Sequence, residues 1–514
     1  MAKTIDKWQF GDFQTPTELS LEAMKLLQSL GYDFNSVIEP TCGKGSFLFA
    51  AISAYPNFKK ALGLDINIEY TKIANAKKEK FNRVEDITIE RHDFFTYDWD
   101  KALSNLPEPF LFVGNPPWVT NSELGLINSS NLPVKTNFQK LNGFDAITGK
   151  SNFDISEWML LKYCEWLKTR TGVIAVLCKT TVARKILLNA WRSDYPLSSA
   201  AIFTIDAKRH FNASVDACFL IIVKNNIKGS IKECTTFPSL STDGPKRIFG
   251  YHDNLLLSDV ELFEKNKHLM GKDLAYVWRS GIKHDCSKVM ELEKHNGCFK
   301  NGTNESVTIE DMYVFPMLKS SDVANGSIKY GRKYMLVTQS FIGEDTGHIA
   351  KDAPNTWAYL VGHSEALNRR ASSIYRNRPS FSVFGVGDYS FSPYKIAISG
   401  FYKSLSFKLI EPFTGKPVVL DDTVNFLPCW SKEEAEFIMY LLNLPEATEF
   451  LSSMIFWEEK RPITVDILKR LDIKQLAIAQ GKEEQYNKFA NHRSLYASQE
   501  TGGQLFLFLE EGRI

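Results

Sequence analysis

The stretch Phe110-Leu111-Phe112-Val113-Gly114-Asn115-Pro116-Pro117-Trp118 decides how the chain is read. Its first four residues form an uninterrupted apolar run, the pattern of a strand buried on both faces of a parallel sheet. Two consecutive prolines cannot continue a sheet, and Pro116 holds Asn115 out of the α region. The strand therefore ends in a stiff loop that offers one amide side chain, free carbonyls and a large ring. In open α/β sheets, ligands bind at the carboxyl ends of strands. Taken alone, the stretch is equally well a proline-rich strand exit with a core tryptophan.

The flanking sequence supplies a sheet. Apolar runs at 36–39, 60–65, 87–90, 110–113, 172–178, 201–204 and 217–223 predict strands. Helical spacing at 18–30, 46–54, 68–80, 155–169 and 181–195 predicts helices between them. Such alternation is the signature of an α/β, Rossmann-like doubly wound parallel sheet. Beyond residue 240 helical periodicity weakens and short strands with aromatic and basic residues take over, apart from a helical piece near 432–442. The expected organisation is a first domain over 1–235, a mixed α/β domain over 236–480 and a helical or loose tail over 481–514.

Composition sets the outer limits. The 514 residues are 44% apolar and 24% charged with a formal charge of +1, an ordinary globular balance. An acidic partner would have to meet locally clustered cations. No apolar run reaches membrane-spanning length, and Met1-Ala2-Lys3-Thr4-Ile5-Asp6 does not open a secretory signal. The eight cysteines are scattered, several within apolar runs, as reduced cytosolic thiols are. A cytoplasmic protein of bacterial, archaeal or phage origin without membrane partners is the expectation. His284, Cys286, His295 and Cys298 fit none of the common zinc spacings, so no metal site is expected and a polar hairpin is.

Chemistry gathers at the ends of successive strands. The first predicted strand runs into Glu39-Pro40-Thr41-Cys42-Gly43-Lys44-Gly45-Ser46-Phe47. Two glycines allow a tight turn and close approach to a ligand. Neither the dinucleotide fingerprint nor the P-loop is present, which suits an adenosine ligand without phosphate. Asp65 ends the second strand, where an acid can hold both ribose hydroxyls. Asp93-Phe94 follows the third, offering an acceptor for an exocyclic amine and a ring for a base face. Any one of these acids alone is more simply a turn or helix-cap residue. Upstream, Thr17 could simply cap the predicted helix, or its backbone and Thr15 could close over the ligand.

Together these residues resemble the gamma class of N6-adenine DNA methyltransferases of restriction-modification systems, in the order of cofactor motifs, then Asn-Pro-Pro-aromatic, then a target-recognition domain. The resemblance implies a class I methyltransferase domain that binds S-adenosyl-L-methionine. Thr15, Pro16, Glu39, Pro40, Thr41, Gly43, Gly45, Asp65, Ile66, Asp93 and Phe94 would form its cofactor site. Asn115, Pro116, Pro117 and Trp118 would be catalytic, with a flipped adenine between Trp118 and Phe211. It leaves Lys44 without a role.

Double-stranded DNA is the implied partner, together with a restriction endonuclease encoded separately. Residues 369–403 interleave Arg369, Arg370, Arg376, Arg378, Lys395 and Lys403 with aromatics, a pattern suited to phosphate and groove contacts. Arg279, Lys283 and Lys319 lie in stretches that resemble recurrent pieces of the family's recognition domains. Two alternatives stay open: a protein-glutamine or RNA methyltransferase, and a bifunctional methyltransferase-endonuclease.

Overall fold

The computed structural model describes residues 14–119, 154–226, 230–325 and 328–498. Phe13, the amino-terminal segment before it and the tail beyond Ser498 lie outside the described residues. The chain divides into two compact units, Met1–Val260 and Glu261–Ile514.

The first unit is built on one ten-stranded sheet. Its strands are β1 (Ser36–Glu39), β2 (Lys60–Asp65), β3 (Ile87–Arg91), β4 (Phe110–Gly114), β5 (Gly172–Lys179), β6 (Ser199–Ile205), β7 (Ala217–Lys224), β8 (Glu233–Phe237), β9 (Arg247–His252) and β10 (Leu255–Leu257). They lie in the order β10-β9-β8-β6-β7-β5-β4-β1-β2-β3. From β3 to β5 the pairing is parallel throughout. Then β7 inserts antiparallel between β5 and β6.

The fold is α/β and Rossmann-like, as the strand–helix alternation implies, but its sheet is mixed rather than parallel. The cause is the connection after β6. It consists of a short helix and a turn, less than the dozen or more residues a crossover usually takes, so the chain returns antiparallel. An apolar run such as 217–223 reads the same in either direction. The sheet also continues past residue 235, because β8, β9 and β10 extend its edge.

Side-chain alternation explains the layers. Leu111 and Val113 enter a core shared with Leu19, Met24, Phe47 and Ala51. The helices that carry those partners are α1 (Thr17–Ser29) and α2 (Ser46–Ala54). Phe112 points the other way and stacks on Tyr163 at 5.3 Å, a residue of α5 (Ile155–Leu167). Between them in sequence lie α3 (Ile68–Lys78), capped by Asn67, and α4 (Trp99–Ser104), capped by Asp98. Two further helices follow, α6 (Thr180–Arg192) and α7 (Ala207–Phe211).

The direction of winding reverses between β1 and β4, which pair with Ser36 opposite Phe110. A crevice at the carboxyl ends of these two strands is the expected ligand site of such a sheet.

The second unit is mixed α/β. It holds β11 (Arg279–Ser280), β12 (Glu291–His295), β13 (Cys298–Asn301), β14 (Ser306–Val307), β15 (Val314–Leu318), β16 (Lys333–Leu336), β17 (Tyr394–Ser399), β18 (Lys408–Ile410), β19 (Val419–Leu420) and β20 (Val424–Cys429). They form a four-stranded sheet, β11-β20-β17-β18, and a six-stranded one, β14-β13-β12-β16-β15-β19. The hairpin of β12 and β13 places His295 opposite Cys298. The helical piece is α8 (Lys432–Leu442). The tail forms α9 (Glu483–Ser498), fixed by Tyr486 Oη to Asp273 at 2.8 Å and Arg493 Nε to Glu434 at 2.6 Å. Among the described residues, no helix is long and apolar enough to cross a membrane.

Candidate active site

The loop after β1 is locked by backbone geometry and one carboxylate. Gly43 and Gly45 have φ of 50° and 80°, left-handed values that favour glycine. A Cβ on Gly45 would lie 2.4 Å from the Phe49 ring. Asp65 Oδ2 accepts from Gly43 N and Oδ1 from Asn67 N, both at 2.8 Å. The acid that ends β2 thus shapes the glycine loop of β1.

Glu39 is buried at the end of β1, where its Oε2 accepts from Leu48 N at 2.7 Å. Burial pushes its carboxyl well above the usual 4.5; the Leu48 N–H opposes this and nearby Asp65 adds to it. Its stem lies against Gly114, where a Cβ would approach Glu39 Cγ to 3.2 Å. Gly114 has φ of 143°, so this one glycine lets β4 turn away over Glu39 into Asn115. Asn115 and Pro117 are half-buried, and Pro116 and Trp118 are buried.

The remaining expected cofactor residues divide. Pro40 is buried and Thr41 half-buried beside the glycine loop. Ile66 is exposed after β2, as a side chain that covers a flat ligand would be. Thr15 and Pro16 are half-buried, with Pro16 at the start of α1. Asp93 is half-buried, and its Oδ1 accepts from Phe95 N at 2.9 Å in a local turn.

Phe94 sits elsewhere: its ring is buried among Trp99, Trp158, Tyr163 and Trp166, with centroids 5.6–6.2 Å away. It is an anchor of the aromatic core. Lys44, unassigned from sequence, places its ammonium 5.3 Å from the Tyr70 ring centroid.

Trp118 and Phe211 do come together, edge to face, with centroids 5.2 Å apart. Phe211 ends α7, which Asp206 caps by accepting from Arg209 N at 2.9 Å. Residues on both sides of Phe211, including Asp206, Lys208, Ser214 and Asp216, line a cavity of about 380 Å³.

Three features escaped the sequence reading. Gln14 lies over the glycine loop, its side-chain amide 3.1–3.2 Å from the Cβ position of Gly43. Asp154 caps α5, and Lys179 at the end of β5 pairs with it at 2.7 Å. None belongs to a spaced motif, and the pair is 25 residues apart.

The expected DNA-contact residues of the second unit are not alike. Arg279, Arg376, Arg378 and Lys403 are exposed. Arg279 lies flat on Tyr389 at 4.5 Å, as Arg461 does on Phe401 at 4.6 Å. Arg369 is exposed and pairs with Glu365 at 2.5 Å. Lys283 has Asp285 at 3.4 Å and Asp422 at 4.0 Å. Lys319 pairs with Glu291 at 2.5 Å, and His284 shares that carboxylate at 3.4 Å.

Two of the expected contacts are corrected, Lys395 by burial and half-buried Arg370 by its bonds to carbonyls of its own unit. Lys395 is 1% exposed in the centre of a sheet and donates to the Ser392 carbonyl at 2.6 Å. Arg370 donates to the carbonyls of Ser382, Leu367 and His284 at 2.6–3.2 Å and covers Tyr375. Lys395 serves the interior, and Arg370 ties together segments of its own unit. Among the described residues, no group of three or more His, Cys, Asp or Glu side chains is arranged to hold a metal.

A glycine loop, a strand-end acid and an Asn-Pro-Pro-Trp exit around one switch point define the class I methyltransferase arrangement. No protein-family model matches the chain. It is 45% identical over 471 residues to Type II methyltransferase M.NspV of Nostoc sp. (strain ATCC 29411 / PCC 7524), covering 92% of this chain and 98% of the relative. A solved structure of the Type IIL restriction-modification enzyme MmeI in complex with DNA aligns at TM-score 0.47 and 14% identity, over 89% of this chain and 64% of that one. The type IIG restriction endonuclease BpuSI aligns at TM-score 0.39 and 12% identity, over 89% and 58%.

The chain belongs to the Type II methyltransferases, the DNA-modifying enzymes of restriction-modification systems. S-adenosyl-L-methionine is accordingly its cofactor.

Proposed function

We propose that this protein is a site-specific DNA adenine N6-methyltransferase that acts on an adenine flipped out of the duplex. The observation that carries this reading is the position of Asn115. It leaves β4 at Gly114, directly against buried Glu39 and one strand from the loop that Asp65 holds. A methyl acceptor held by Asn115 would therefore lie beside Glu39 and the glycine loop that Asp65 holds.

The residues present suit the cofactor. Asp65 ends β2 where a ribose would lie, Asp93 offers an acceptor for an exocyclic amine, and exposed Ile66 a surface for the adenine face. Glu39, whose carboxyl is raised by burial and by nearby Asp65, would ionise more readily beside a positively charged ligand. S-adenosyl-L-methionine, when bound, supplies an electrophilic methyl on a sulfonium.

The protein's part is to make a poor nucleophile competent. The lone pair of an aromatic amine is delocalised into the ring. Asn115 Oδ1 and the Pro116 carbonyl would each accept one amine hydrogen, drawing the nitrogen toward a tetrahedral form with its lone pair aimed at the methyl. The two prolines hold these acceptors stiffly, and the rate gain comes from positioning and electrostatics. Flipping the base costs a few kcal/mol, and stacking on Trp118 would return about 1–3 kcal/mol.

In the second unit, Arg279, Lys283, Arg369, Arg376, Arg378 and Lys403 would contact double-stranded DNA. Lys319, tied to Glu291, is left as a positioning element. A separately encoded endonuclease would cut sites left unmodified.

Purified protein is incubated with tritiated S-adenosyl-L-methionine and unmethylated plasmid, and the digested DNA is chromatographed. Label in N6-methyladenine is the expected result. Label in cytosine, or in protein or RNA instead of DNA, overturns the reading. Magnesium-dependent cuts in the same plasmid would make the enzyme bifunctional.

A further inference from the structure

The last residue of β5 stands between the two parts of the first unit that carry Trp118 and Phe211. Gly114 of β4 pairs with Val176, so Lys179 lies three residues beyond the last paired position of β4. On its other side Lys179 pairs with Ala217, the first residue of β7. The next amide, Thr180 N, donates to the Asp216 carbonyl at 3.0 Å, which fixes the end of the loop that begins at α7.

The Lys179 side chain reaches back toward the first wall. Its Nζ meets Asp154 Oδ2 at 2.7 Å. Asp154 is 5% exposed, and its other oxygen accepts from Ser156 N at 3.0 Å and Ser156 Oγ at 2.6 Å. The following amide, Ile155 N, donates to the Val119 carbonyl at 3.0 Å, next to Trp118. One continuous set of bonds therefore runs from Val119 through Ile155, Asp154, Lys179 and Thr180 to Asp216. Apolar packing alone could hold α5 on the sheet. A nearly buried carboxylate instead demands its counter-charge in one place, since removing one partner strands the other charge.

We propose that the Lys179–Asp154 ion pair is a positioning element for the methyl transfer, setting the Asn115–Trp118 loop and the Phe211 loop relative to each other. The pair takes no part in cofactor binding. This inference rests on the function proposed above.

Wild type, Lys179→Met, Lys179→Arg and Asp154→Asn are compared as full chains. Three quantities are measured: tritium transfer to unmethylated plasmid, S-adenosyl-L-methionine affinity by equilibrium dialysis, and melting temperature. Lys179→Met is expected to lower kcat about 10- to 100-fold, the size of effect that a small misplacement produces. Cofactor affinity stays at the wild-type value, and Lys179→Arg restores most of the rate. Asp154→Asn keeps the helix cap, because Asn caps as well as Asp, and loses rate in the same way. A Lys179→Met enzyme with wild-type kcat overturns the inference. So does a rate loss matched by an equal loss of cofactor affinity, or one that Arg fails to relieve. Wild-type protein that labels no DNA overturns the proposed function, and the inference with it.

Discussion

The indole of Trp118 meets the ring of Phe211 edge-on, with centroids 5.2 Å apart and planes 69° apart. A base held between two rings needs about 3.5 Å on each face, so roughly 7 Å between parallel planes. The two rings must therefore part and turn before they can sandwich an adenine. Phe211→Ala should weaken base capture on a paired target and matter less on a mispaired one, where flipping is cheaper. Transfer rates on the two duplexes measure this. Equal losses on both would assign Phe211 to the core alone.

Asn115 leaves a strand whose last residue is packed on Glu39, while the glycine loop is held by Asp65. Asn115→Ala should lower the transfer rate by about 10²–10³, the usual effect of removing one positioned polar partner of a transition state. Cofactor affinity, measured by calorimetry, should stay near wild type. A variant that still turns over at the wild-type rate would remove Asn115 from the chemistry.

Much of this site was legible in the sequence because its residues sit at strand ends, where period and spacing are strong. Asp65 falls 22 residues after Gly43, and the structure adds a bond between the two that the spacing did not announce. The direction of β7 was not legible, since an apolar strand has no reading direction. Nor were the partners of the basic stretches. Glu291 reaches Lys319 from 28 residues away, and Arg370 finds the His284 carbonyl 86 residues upstream. Counting acids along 369–403 could not reveal those bonds. Lys395 shows the same limit: in β17 it precedes four buried residues, Ile396 to Ser399.

Glu39 carries a pH signature. Its carboxyl is raised in the folded protein, chiefly by burial, above the usual 4.5. Folded protein therefore holds this proton at pH values where the unfolded chain has lost it. Stability of the free enzyme falls as pH rises from 4.5 toward the folded value. Glu39→Gln should remove that part of the decline, which melting curves across pH will show. The same variant should bind S-adenosyl-L-methionine more weakly. An unchanged pH profile would mean that Glu39 is ionised in the free protein.

Lys395 separates interior from interface. Burial lowers its ammonium to about 7 from 10.5. Here the unfolded chain holds the extra proton, so stability rises as pH climbs from about 7 toward 10.5 and the burial penalty fades. Lys395→Met should raise the melting temperature most at pH 7 and below, with the advantage shrinking toward pH 10. DNA affinity should not change, because the ammonium donates inward to Ser392. Arg376→Ala combined with Arg378→Ala should instead weaken binding across sequences and reduce the salt slope by about one per lost phosphate contact. Salt-dependent binding curves for the three proteins decide the matter. Weakened binding by Lys395→Met with an unaltered melting profile would return that lysine to the DNA surface.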